Sequence, residues 1–135
     1  MSQTDTTARD EGAIRRLLAE YCHAYDDGRA DDFAALFTQD AQFTVMGVTH
    51  SGREAIRENI GGWKSGTPPG QHITYNTVLD ITGDSATGAT DFSYLQTSDE
   101  GPRVIQAGRY TDEFVHEPDG WRFRSRTIRF LGDDA

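Results

Sequence analysis

From about residue 70 onward the apolar residues recur at every second position through four runs, HITYNTVLDI, ATGATDFSYLQT, VIQAGRYTDEFVH and WRFRSRTIRFL. A period of two sends successive side chains to opposite faces of a strand. The runs are divided by TGDS, SDEGP and EPDG, which carry the Gly, Pro, Asp and Ser that tight turns require. A meander of four strands is therefore the frame that every earlier segment must fit.

The first half has a different period. From Glu11, the residues Ile14, Leu17, Leu18, Tyr21, Cys22 and Tyr25 follow the i, i+3, i+4, i+7 rule, which predicts a long amphipathic helix ending at Gly28. A second, short helix is expected from about Asp31 to Phe37, burying Phe33, Leu36 and Phe37, with Asp31 or Asp32 as its cap. AQFTVMGV reads as a strand. Ser51 and Glu54 resemble a capping box opening a third helix, SGREAIRENIGGW, and KSGTPPGQ reads as a loop. Residues 1–9 and 132–135 read as flexible ends of one domain spanning 1–135.

Helices first and a meander afterwards make a segregated α+β domain rather than alternating βαβ units. A sheet this long beside three helices has one compact arrangement. It curves as a cone-shaped mixed or antiparallel sheet around the long N-terminal helix and leaves an internal pocket for a small molecule.

The formal net charge of −9 argues against nucleic acid, because such binding depends on cations that neutralise phosphates. The one basic stretch, RFRSRTIR, alternates along a strand and reads as a solvated face. No apolar run approaches the ~20 residues that cross a bilayer, so a soluble, cytoplasmic protein without membrane partners is expected. The single cysteine, Cys22, has no partner for a disulfide or a metal site and reads as a buried thiol. There is no HExxH, GxSxG, P-loop or GxGxxG. The chemistry left is that of acids, bases and hydrogen bonds, with no cofactor and no metal.

The stretch AYDDGRADDF contains four aspartates. Asp31 and Asp32 are explained as caps, and Asp27 falls off the apolar stripe. Asp26 differs, because it lies four residues after Cys22 and so at the edge of the buried face. It also stands in the last turn, where the helix dipole disfavours a carboxylate. A local inconsistency of this kind marks a functional position; the alternative is an exposed aspartate before a C-cap glycine, or one paired with an arginine. His72 is the natural partner. It opens the first long strand, shares a face with Thr74 and Asn76 by the period of two, and carries the side chain suited to proton transfer near neutrality. His23, His50 and His116 lie off the apolar pattern or near turns.

The segments YCHAYDDGRADDFAALFTQDAQF, QHITYN and GRYTDEFVHEPDGWRFRSRTI resemble the SnoaL-like branch of the nuclear transport factor 2-like superfamily over roughly residues 11–131. The resemblance implies the same fold and chemistry without a cofactor. It extends to the dehydratase and dehydrochlorinase group, which includes scytalone dehydratase, bile-acid 7α-dehydratase and hexachlorocyclohexane dehydrochlorinase. By that likeness Asp26 orients His72, His72 removes a substrate proton, and Arg126 helps to receive the leaving group, with Tyr25 matching a Tyr-Asp pair at the helix end. Tyr21, Phe43, Phe92, Tyr94, Gln106 and Tyr110 are the implied pocket wall. Gln96 and Thr111 stand where scytalone dehydratase has a histidine and an asparagine, which argues against scytalone as substrate. The implied function is a lyase acting on a small, largely apolar molecule such as a steroid, terpene, polyketide or aromatic-degradation intermediate. The rival readings are an isomerase or cyclase using the same dyad, a small-molecule-binding module, and a structural subunit like that of ring-hydroxylating dioxygenases. The resemblance also implies a homo-oligomer, dimer or trimer.

Overall fold

The computed structural model describes residues 2–64 and 66–133, with the side chains of 61–64 excepted. The first helix, α1, spans Gln3–Asp26 and buries Ile14, Leu17, Leu18, Tyr21, Cys22 and Ala24, the stripe that the 3.6-residue period requires. It begins eight residues earlier than expected from Glu11. The Ser2 hydroxyl accepts the Asp5 amide at 3.1 Å, and the Trp121 indole N–H reaches Asp10 at 3.2 Å. A cap and a distant tryptophan thus hold a turn that has no apolar stripe to reveal it. The proposed flexible segment 1–9 is helical from Gln3 onward, and of the C-terminal segment 132–135 the last two residues lie outside the described part.

Helix α2 covers Ala30–Ala35, so Phe37 belongs to the following strand. Its cap position is Arg29, and neither Asp31 nor Asp32 caps it. Both aspartates lie in the first turn, where the dipole favours them, and they pair with Arg57 and Arg29 respectively. Strand β1 (Phe37–Val45) turns through Met46 and Gly47, both at positive φ, into β2 (Val48–Ser51). The expected single strand is therefore a hairpin. Its two-residue turn needs left-handed backbone at both positions, and Met-Gly is a rare way of supplying it. Ser51 closes β2, so the expected capping box does not form, and α3 (Arg53–Lys64) starts after Gly52 instead.

The meander is as expected: β3 (Gly70–Thr82), β4 (Ser85–Gln96), β5 (Arg103–Glu117) and β6 (Gly120–Phe130). The six strands form one open mixed sheet in the order β2-β1-β6-β5-β4-β3, with β1 and β6 parallel and the other pairs antiparallel. Helix α1 lies against this sheet, chiefly on β3, and the core between them is rich in rings. Among the described residues no helix is long and apolar enough to cross a membrane.

Two irregularities decide which side chains face the core. In β3 the register passes from Tyr75↔Asp91 to Val78↔Ala89, so Asn76 and Thr77 together oppose Thr90. Asn76 takes φ 55°, a left-handed conformation that asparagine tolerates. The inward set is consequently His72 and Thr74, then Thr77, Leu79 and Ile81. Asn76 does not share the face of His72; it is exposed and bonds Asp91 on the outer face. In β6, Arg124 is the extra residue between the pairs Phe123↔Phe114 and Ser125↔Glu113. The inward set changes there from Trp121 and Phe123 to Arg126, Ile128 and Phe130. The basic stretch is therefore not one solvated face.

At Gly108, a Cβ would lie 2.2 Å from the Arg129 carbonyl oxygen and 2.9 Å from a Phe92 ring carbon. Backbone cannot rotate away as a side chain can. Gly108→Ala should destabilise the protein by about 1–3 kcal/mol, as overpacking does. Urea denaturation tests this, and an unchanged midpoint would show that the β5–β6 pair yields freely.

Candidate active site

Asp26 is the last residue of α1, and His72 is the third residue of β3. The two side chains meet. Asp26 Oδ1 lies 2.7 Å from His72 Nδ1, and Asp26 Oδ2 accepts the His72 backbone N–H at 2.9 Å. A carboxylate can only accept hydrogen bonds, so the proton of a neutral imidazole sits on Nδ1 and Nε2 keeps its lone pair. Nε2 has no hydrogen-bond partner among the described residues. The two side chains are 11% and 10% exposed, so the pair is shielded but not sealed. These two bonds also explain why a carboxylate tolerates the negative end of a helix: each of its oxygens receives an N–H from the strand below.

Four aromatic residues enclose the imidazole. The ring centroids of Tyr94 and Tyr25 lie 4.5 and 4.7 Å away, and those of Tyr21 and Phe92 are both at 6.3 Å. Tyr110 forms a second row, stacked on Phe92 at 4.3 Å and edge-on to Tyr21 at 5.6 Å. Burial pushes the Tyr21 phenol up to about 12 and moves Tyr25 and Tyr110 upward as well. At neutral pH these phenols stay protonated, so they can donate hydrogen bonds but cannot remove protons. Of the side chains gathered here, the imidazole of His72 is the one whose Nδ1 is held by a carboxylate and whose Nε2 keeps a free lone pair.

The remaining residues implied by the resemblance are less close. Phe43 is buried against Phe33 and Phe37 and makes no ring contact with the dyad. Gln106 pairs with Tyr94 across β4 and β5 but is exposed. Arg126 is fully buried behind the first row of rings, its guanidinium 4.2 Å from the Tyr21 centroid and 3.7 Å from that of Tyr110. Its Nε and Nη2 donate to the two carboxylate oxygens of Asp112 at 2.7 and 2.9 Å. Asp112 is the residue that the sequence reading passed over. Its signal was present in the Gly-x-Tyr-x-Asp segment, but only the register places it directly opposite Arg126.

Surface clefts of about 590, 680, 360 and 280 Å³ have neither Asp26 nor His72 in their walls. Around the dyad the space is bordered by the aromatic side chains of Tyr21, Tyr25, Phe92 and Tyr94.

Cys22 lies under the dyad, 6% exposed, and burial pushes its thiol up to about 11, with Asp26 adding to the rise and Arg126 opposing it. The thiolate is the reactive form. Native protein at pH 8 should therefore leave Cys22 unmodified by a disulfide reagent over the time in which urea-unfolded protein reacts fully. Equal rates in both states would contradict its burial. Among the described residues no group of three His, Cys, Asp or Glu side chains is placed to hold a metal ion.

A family model described as a SnoaL-like domain matches residues 6–127. Solved structures that share the fold include three from two bacteria. Rv3472(D26N), a protein of unknown function from Mycobacterium tuberculosis, is 26% identical and aligns over 96% of this chain and 76% of its own, with a TM-score of 0.90. A provisionally assigned scytalone dehydratase from Novosphingobium aromaticivorans is 22% identical over 96% and 89% of the two chains, at 0.85. The β subunit of a provisionally assigned aromatic-ring-hydroxylating dioxygenase from the same organism is 20% identical over 96% and 93%, at 0.80.

Proposed function

This chain belongs to the SnoaL-like domain family, and from that premise we propose that it is a cofactor-independent lyase acting on a small, largely apolar substrate. One observation carries the reading: Asp26 fixes both the backbone and the ring of His72 and leaves Nε2 as a base inside an aromatic enclosure. His72 Nε2 takes a proton from a carbon next to an activating group such as a carbonyl. The C–H electrons form the new double bond and a hydroxide or halide leaves the neighbouring carbon. In dehydration the proton held by the imidazolium ends on the departing hydroxide, giving water and restoring the base. Tyr25 and Tyr94, the phenols beside the imidazole, are the donors available to the leaving group or to enolate charge.

The enclosure selects by shape and polarity. Five of the residues around the dyad are aromatic, and Arg126, the one buried cation among the described residues, is already neutralised by Asp112. Neutral substrates, cyclic ones included, suit such a chamber better than anions. An isomerase or cyclase would use the same first step and return the proton elsewhere. The reading of a non-catalytic subunit rests on the fold shared with the dioxygenase β subunit; co-purification with a large iron–sulfur partner would support it. A cytoplasmic homo-oligomer belongs to the same proposal, supported by the exposed apolar residues Ile73, Tyr75, Val104 and Ile105.

The proposal is tested by incubating the protein in D2O with a panel of neutral cyclic β-hydroxy ketones and β-halo ketones. Enzyme-dependent loss of water or halide supports a lyase. Deuterium wash-in without elimination moves the assignment to an isomerase, and binding with neither result removes the base from the reading.

A further inference from the structure

The buried ion pair has a geometry that the dyad does not account for. Asp112 and Arg126 are cross-strand neighbours, 0% and 1% exposed, joined by two parallel hydrogen bonds. The guanidinium is enclosed by Tyr110, Tyr21 and Phe123 at 3.7, 4.2 and 4.4 Å, while its Nη1 has no partner among the described residues. Tyr21 touches Arg126 on one side and His72 on the other, and Tyr110 holds Phe92, which also borders His72. A continuous row of packed groups thus runs from Asp112 through Arg126 and two tyrosines to the imidazole.

We propose that Asp112 and Arg126 are positioning residues, a wedge that fills the space behind Tyr21 and Tyr110 and through them fixes the His72 ring, rather than a charge presented to the leaving group. The inference rests on His72 being the working base, but its test needs no substrate. Coulomb attraction from Arg126 is spent on Asp112, which faces it squarely with both oxygens. What remains on the dyad's side is the flat face of the guanidinium against rings, a contact that arginine makes and lysine does not. An apolar side chain of similar length can fill the same slot, and exchanging a buried ion pair for apolar residues is often neutral for stability.

The experiment reads the His72 imidazole directly by long-range ¹H–¹⁵N spectra of histidine-labelled protein, its signals assigned by their loss in His72→Asn. Two variants are compared at a temperature where both are folded. Arg126→Lys keeps the positive charge, but its compact ammonium goes to Asp112 and leaves the slot between the rings unfilled; the Nδ1–H pattern should shift or split into two forms. The double variant Asp112→Leu with Arg126→Met removes both charges and keeps apolar bulk between the rings; its His72 pattern should match wild type. The reverse result, a wild-type pattern in Arg126→Lys and a disturbed one in the double variant, would mean that charge and not shape acts on the dyad. If Arg126→Lys lowers the melting midpoint while the His72 signals stay in place, the pair is merely structural and the proposal fails. Should the lysine variant not fold, the double variant decides alone, and failure of the double variant to fold also overturns the wedge.

Discussion

His72→Ala should reduce turnover by ~10²–10⁴-fold, the range that a positioned general base contributes, and leave the fold intact. Each tenfold step corresponds to about 1.4 kcal/mol of transition-state stabilisation, so the expected loss is roughly 3–5.5 kcal/mol. The backbone N–H of His72 still reaches Asp26 when the ring is removed, so the end of α1 stays tied to β3 and the fold should survive. Asp26→Asn is the more discriminating change. Asp26 accepts two N–H groups, one on each oxygen. An asparagine offers one oxygen and one NH₂ in their place, so one of the two N–H groups meets another donor. With the NH₂ toward the imidazole, either the His72 ring turns or its proton moves to Nε2, and in both cases the base is lost. A fall of at least ~10²-fold is expected, measured under single-turnover conditions with thermal unfolding as the control for folding. Rates near wild type in either variant would refute the assignment of the dyad.

Asp112→Ala should lower stability by about 3–5 kcal/mol, the usual consequence of removing one partner from a buried pair. The physical cause is the stranded guanidinium. Burial works against the Arg126 charge, but Asp112, with Tyr21 and Tyr110, outweighs it and holds the group protonated beyond its ordinary range. With Asp112 gone, a full charge stays inside the ring cluster without water to reach it. Set against a typical total of 5–15 kcal/mol, the loss is large enough to bring the urea midpoint down to a fraction of its wild-type value. At 1% and 0% exposure there is no screening by solvent to soften the effect. A change below about 1 kcal/mol, the level of surface pairs, would show that water enters this part of the core.

Much of the architecture could be read from periodicity. Ile14, Leu17, Leu18, Tyr21 and Cys22 announce the buried stripe of α1, and the four alternating runs announce β3 to β6, because burial on one face repeats at the pitch of the element. The β1–β2 hairpin is not legible in this way because Met46 does not look like a turn residue, and the first two turns of α1 are not because they have no apolar stripe to repeat. The dyad was named from a single misplaced charge, Asp26 at the wrong end of a helix. Asp112 carried no such mark, since an aspartate on an alternating strand looks solvated.

The chain by itself thus determined the order and kind of its elements, β2 excepted, and proposed the carboxylate and imidazole that belong together, for these depend on local spacing and on helix electrostatics. The tertiary structure alone decided which face each strand residue takes after a bulge. One extra residue at Arg124 turns Arg126 from solvent into the core, and one at Asn76 turns that side chain out of the site. A strand has a period of two, so a shift of one position reverses every side chain beyond it, and no local pattern records where the pairing slips.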